Sequence, residues 1–340
     1  MAIEEKSETQ YSKIGIDDFT LGKNITFPIF IRLAHEKYIK IAHHGENLSQ
    51  EKVRDYKAKG IRFLYVQRED FKKYADFNLV LTKLATKSNK ISPGKKLNLA
   101  KHTSELILER IYSDEIGKEE FESAAAVTES TLEIIMENES LFNLLDLLNQ
   151  CSDQFYAHSL GVSLYSCLIA KQLRWNSPKT LTKISIIGMF HDLGFKEIDP
   201  KVFRKNRMDL NADEVKLMET HVERGVSLLA KTGCFPDDLL QVIKQHHENC
   251  IGTGYPARLV KARIHPLARL IAVAEEFCDF VLGYGGQVKV SPREAVKKLF
   301  LLQSDVLDST FLNALAEAVG LVPQDLATPK NRKALAHAPV

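Results

Sequence analysis

Six side chains able to hold a divalent cation stand in one order along this chain: His158, the pair His191-Asp192, His221, and the pair His246-His247. The last pair runs into Glu248 and the loop Gly252-Thr253-Gly254-Tyr255-Pro256. A carboxylate next to an imidazole can bridge two cations while histidines hold each from outside. Donors so far apart in sequence meet only if several helices pack with their ends together. Any one histidine at a helix end is more often a cap or a satisfied core residue than a ligand. The ordered set points instead to a metal site, and hydrolysis is the leading reason to build one.

Composition narrows the classes further. With 46 basic and 44 acidic residues among 340, no strong field points to a nucleic acid polymer or an anionic membrane. No run of about 18 apolar residues suggests a membrane span, and Met1–Lys6 has no apolar signal core. Cys151, Cys167, Cys234, Cys250 and Cys278 are scattered without a C-x-x-C pair. They read as reduced thiols of a cytoplasmic protein.

Residues 1–80 read as a small N-terminal α/β module. Phe27–Ile31, Tyr38–Ala42 and Ile61–Val66 have the β-branched and aromatic content of strands, with a helix over Ser49–Ala58. Residues 81–149 read as a helical linker, broken by a polar stretch over Lys83–Lys96 and then helical over 97–113 and 117–149. Further helices are expected over 153–174 and over Leu181–Phe190, the latter stopped by Gly194. Asn211 with Glu214 forms a capping-box pattern opening the helix that holds His221. Pro236 suits the first turn of a helix ending at His246-His247, and Pro266 opens one containing Glu275 and Asp279. Residues 323–340 read as a flexible tail.

The order H…HD…H…HH…GYP resembles the HD-GYP family, a branch of the HD-domain phosphohydrolases, over residues 150–322. Met218-Glu219-Thr220-His221 with Gly225, and the run Ile264–Ala274, are similar to the family's stretches around its isolated histidine and before its ligand carboxylate. The resemblance implies a mainly α fold: a helical HD-domain bundle with the N-terminal α/β module ahead of it. It implies hydrolysis of cyclic di-GMP to pGpG or GMP, in bacterial second-messenger signalling, by two divalent ions, commonly iron or manganese. His191, Asp192, His221, His246, His247, Glu275 and His158 would be metal ligands, with Asp192 bridging. His191, Asp192 and Tyr255 would carry catalysis, and Tyr255, Gly252, Gly254 and Lys196 would touch substrate. Gln154 stands where relatives with a third metal carry Glu, which favours two metals.

Several positions depart from the family pattern. The lysine of H-D-x-G-K is replaced by Phe195, with Lys196 one place later. Ile251-Gly252 replaces Asp-Gly, and Phe280–Gly286 replaces a run carrying Arg-Pro-Tyr-Arg. The metal donors are therefore better kept than the cationic groups that meet substrate phosphates. Two other readings stand beside the phosphodiesterase: a weak or inactive protein that senses cyclic di-GMP or a partner protein through the 250–256 loop, and a phosphohydrolase for another phosphoester. The long helices over 97–149 could pair in a homodimer.

Overall fold

The computed structural model describes residues 3–5, 11–16, 27–34, 37–46, 48–113, 116–137, 142–151 and 153–322. The expected tail over 323–340 lies outside them. The chain forms two compact units, Met1–Leu106 and Ile107–Val340. The boundary falls within one helix, α3.

The first unit holds strands β1 (Ile3–Glu5), β2 (Tyr11–Gly15), β3 (Ile29–Ala34), β4 (Lys37–Ala42) and β5 (Phe63–Gln67). They form one sheet in the order β1-β4-β3-β5-β2, with every described pair antiparallel. Helix α1 (Gln50–Ala58) is capped by Ser49, whose hydroxyl accepts the Lys52 N–H. Helix α2 (Arg68–Thr86) and the start of α3 (Pro93–Ser113) complete the unit. Ile14, Ile29, Ile31, Ile39, Leu64 and Val66 bury one sheet face with Val53, Phe71, Tyr74 and Ala75 of the helices. Tyr11, Phe30, Tyr38 and Tyr65 form an aromatic layer of their own. The polar stretch expected as a linker over Lys83–Lys96 is shorter in the fold. Helix α2 continues to Thr86 and α3 begins at Pro93, because Thr82 and Thr86 are buried and bonded rather than solvated.

The second unit is helical: α4 (Lys118–Glu137), α5 (Phe142–Asn149), α6 (Gln154–Gln172), α7 (Pro178–Phe190), α8 (Pro200–Phe203), α9 (Ala212–Glu219), α10 (His221–Lys231), α11 (Asp237–Lys244), α12 (Pro266–Leu282), α13 (Pro292–Leu302) and α14 (Ser309–Ala318). Helix α6 is the centre of the bundle. It is buried on nearly every face from Phe155 to Ala170, the pattern of a core helix, and α5, α7, α12 and α14 pack on it. Gly188 of α7 lies so close to Ser163 of α6 that a Cβ would collide with the Ser163 backbone. That close crossing places the end of α7, and so His191, beside His158 on α6.

Three local expectations are corrected. Gly194 is not a helix stop: α7 ends at Phe190, and Gly194 sits in a following 3-10 turn over Leu193–Glu197. Its requirement is space, since a Cβ would collide with the His221 carbonyl. The capping box of Asn211 and Glu214 is present, but the helix it opens ends at Glu219, and His221 begins the next one. Pro236 is the N-cap of α11, which ends at Lys244, so His246-His247 lie in the turn beyond it. Among the described residues no helix is long and apolar enough to cross a membrane.

Candidate metal centre

The fold brings His158 (α6), His191 and Asp192 (end of α7), His221 (start of α10), His246 and His247 (after α11) and Glu275 (α12) together. Potential ligand atoms fall into two groups whose members lie within 4.8 Å of one another: Asp192, His221, His246 and His247, and His158, His191 and Glu275. Asp192 stands between them. Its Oδ1 is 3.3 Å from His221 Nε2 and 3.9 Å from His246 Nε2. Its Oδ2 is 3.3 Å from His191 Nε2 and 3.7 Å from His158 Nε2. On the open side, Glu275 Oε1 is 3.4 Å from His247 Nε2.

Backbone carbonyls fix the tautomers. His191 Nδ1 lies 2.8 Å from the Gly188 oxygen, His221 Nδ1 2.7 Å from Met218, and His246 Nδ1 2.6 Å from Ile243. A carbonyl only accepts, so each Nδ1 carries the proton and each Nε2 presents a lone pair. His221 Nε2 and His246 Nε2 then face each other at 3.3 Å with no proton between them. His191 Nε2 and Asp192 Oδ1 are likewise buried without a hydrogen-bond partner. Lone pairs gathered in this way repel unless a cation lies among them, so the donor set fits divalent metal.

Protonation agrees with this. Burial pushes the His158 imidazole down to about 3 against the pull of Asp192. Burial likewise lowers His221, His246 and His247, the last two strongly. Burial opposes charge on Asp192 too, but the surrounding imidazoles prevail and hold it well below the usual carboxylate range. His191 is the exception: despite burial, the neighbouring Asp192 raises it. Glu275 is raised well above its ordinary value by burial, then by Asp192 and Asp279. Neutral imidazoles around an ionised aspartate are what a divalent cation binds.

Aromatic rings wall the cluster. Phe195 lies flat on His221, centroids 4.2 Å apart at 13°. Tyr284 stacks on His158 at 4.3 Å, and Tyr255 on His247 at 4.6 Å. The Tyr255 loop is tied back twice. Its backbone N–H donates to the His247 carbonyl, and Gly254 runs so close over His247 and Glu248 that a Cβ would collide with them. Gly252 adopts positive φ in the turn before it. Buried Glu248 accepts from the Ala257 N–H at 2.6 Å and the Leu259 N–H at 2.7 Å, so its carboxylate anchors the loop rather than facing the ligands.

One expected substrate residue is not brought here. Lys196 donates to the Ile111 carbonyl at 2.8 Å, because the 3-10 turn after Asp192 points it away while Phe195 takes the inward position. Gln154 also turns away, donating to the Leu282 and Gly283 carbonyls. Asp279 was not singled out from the sequence as a site residue. Its Oδ1 lies 3.3 Å from His158 Nδ1, the nitrogen turned away from Asp192. Its position one helical turn after Glu275 was the available signal, since residues four apart share a helix face.

The HD-domain profile matches residues 143–311. By this match those residues, just under half of the chain, are an HD domain. The chain is 25% identical over 198 residues to the cyclic di-GMP phosphodiesterase PA4108 of Pseudomonas aeruginosa, covering 58% of this chain and 47% of that protein. It is 32% identical over 143 residues to the 3'3'-cGAMP-specific phosphodiesterase 2 of Vibrio cholerae, covering 41% and 26%. The chain thus spans about half or less of the length of these relatives. Among solved structures, Bd1817, an HDG"Y"P protein from Bdellovibrio bacteriovorus, superposes with a TM-score of 0.69 at 19% identity, covering 91% of this chain and 99% of that one. That likeness speaks to the fold.

Proposed function

We propose that the HD domain holds two divalent ions, one in each ligand group, and hydrolyses cyclic di-GMP to pGpG or GMP. The observation carrying this reading is the facing pair of lone pairs on His221 and His246, with the Asp192 carboxylate directed at both histidine sets. The named activities of the relatives, both cyclic dinucleotide phosphodiesterases, support it. The imidazole and carboxylate donors suit iron or manganese.

When bound, such ions lower the pKa of coordinated water and offset charge on phosphoryl oxygens. The chain's own residues do the rest. Asp192 joins the two ligand groups through its two oxygens, while the Nδ1–H bonds hold three imidazoles aimed inward. Burial, then Glu275, keeps the Tyr255 hydroxyl protonated, able to donate to a phosphate oxygen. Phe195, Tyr255 and Tyr284 exclude water from the ligand rings.

The test is metal content and cyclic di-GMP turnover measured together on anaerobically prepared full chain. His191→Ala and Asp192→Ala should lose both, and undiminished turnover in either rejects the assignment. A sensor without turnover is the second reading, favoured by Phe195 and by Lys196 lying on Ile111. Tight binding with no cleavage would select it, and 3'3'-cGAMP offered beside cyclic di-GMP tests substrate choice.

A further inference from the structure

The segment between α8 and α9 carries a cation whose placement the ligand set does not explain. Arg204 pairs with Asp153 at 3.0 Å and Lys205 with Glu214 at 2.5 Å, so both are committed to structure. Arg207 is exposed and makes no ion pair or side-chain hydrogen bond among the described residues. It opens a 3-10 turn over Arg207–Asp209, capped by Asn206, whose side-chain oxygen accepts the Met208 N–H at 2.9 Å.

That turn is held against the metal centre. The Asn206 side chain occupies the space where Gly286 would carry a Cβ, and Gly286 has positive φ. Gly286 closes the turn Tyr284–Gly286, whose Tyr284 ring stacks on His158. The Arg207 charge is felt at His221, His247, Tyr255, Glu275 and Asp279. An exposed arginine outside any ion pair, beside a cluster of candidate metal ligands, has the donors for an anion with several oxygens, and guanidinium matches phosphate in a bidentate way.

We propose that Arg207 anchors a phosphate oxygen of the ligand at the metal centre, supplying from the α8–α9 segment the positive charge that Lys196 does not. This assigns a binding residue within the proposed phosphodiesterase site, and rests on that reading only for the identity of the ligand. Arg207 would act on ground-state and reacting phosphate alike, so its removal should raise KM more than it lowers kcat.

The experiment is calorimetric titration of orthophosphate, and separately of cyclic di-GMP, into manganese-loaded full chain. Arg207→Ala should weaken phosphate binding roughly tenfold or more, the range of a charged hydrogen bond, with metal per chain unchanged. Arg207→Lys should recover part of the loss, and Lys205→Ala should leave phosphate affinity as it was. Equal phosphate affinity in the parent and Arg207→Ala proteins, or none in either, overturns the proposal. Arg207-dependent phosphate binding without cyclic di-GMP binding keeps the anchor and rejects the substrate reading above.

Discussion

Phe195 lies on the face of His221, ring planes within 13°, and both are buried. The resemblance to HD-GYP proteins leads one to expect a lysine there. The chain has instead placed an apolar plate behind a ligand imidazole, packed with Phe155 and Phe203. Such a plate restricts the ring and keeps water from its face. Phe195→Ala should therefore loosen His221 as well as open a cavity. A loss of about 3 kcal/mol in unfolding free energy should accompany roughly tenfold weaker manganese binding. Chemical denaturation and metal titration measure the two separately, and unchanged metal affinity would show that the plate serves packing alone.

Glu248 offers a way to separate the loop from the metal. Its two carboxylate oxygens take the Ala257 and Leu259 N–H groups, tying the loop's far side back to the residue after His247. Glu248→Ala leaves two backbone donors unpaired, a local cost of about 1–3 kcal/mol. Metal content should stay at the parent level while cyclic di-GMP affinity falls and amide exchange quickens over 252–259. Loss of metal in this variant would mean that Glu248 supports the ligands directly.

Asp308 caps α14 through the Thr310 N–H and pairs with Arg269 and with Lys261. Burial resists its charge, but the Thr310 N–H and the two cations prevail and lower its folded pKa. A depressed carboxylate stabilises above its unfolded pKa and loses that contribution as pH falls through the folded value. Asp308→Asn keeps a cap but removes the charge. The parent should exceed the variant by about 1–3 kcal/mol at neutral pH. That gap should shrink below pH ~3.9. A gap independent of pH would assign the effect to shape.

How far the sequence foretold the site depends on the kind of signal. The histidines and Asp192 were legible because ligand chemistry tolerates few substitutes and their order follows the helices. Glu275 came through resemblance. Lys196 misled, since sequence adjacency gives no direction: the 3-10 turn after Asp192 sends consecutive side chains to different sides. Arg207 was invisible because an exposed arginine in a basic loop reads as solvated surface, and only the packing of Asn206 on Gly286 brings it near the site. In the first unit, strands β1 and β2 were missed. Tyr11–Gly15 is short and carries Ser12, Lys13 and Gly15, and its pairing with β5 rather than its own composition makes it a strand.

Gln154 bears on how many cations the centre takes. It sits at the start of α6, and its amide nitrogen donates to the Leu282 and Gly283 carbonyls at 3.2 and 3.0 Å, at the C-terminal end of α12. Those carbonyls carry the negative end of the helix dipole, so an amide is favoured there and a carboxylate is repelled. Gln154→Glu would trade two donated hydrogen bonds for two facing acceptors. Because the position is exposed to water, the penalty should be modest, about 1 kcal/mol. The variant should melt slightly lower and bind no more manganese per chain than the parent. A rise in stoichiometry would show that the new carboxylate swings towards His158, and that Gln154 alone withholds a further metal position.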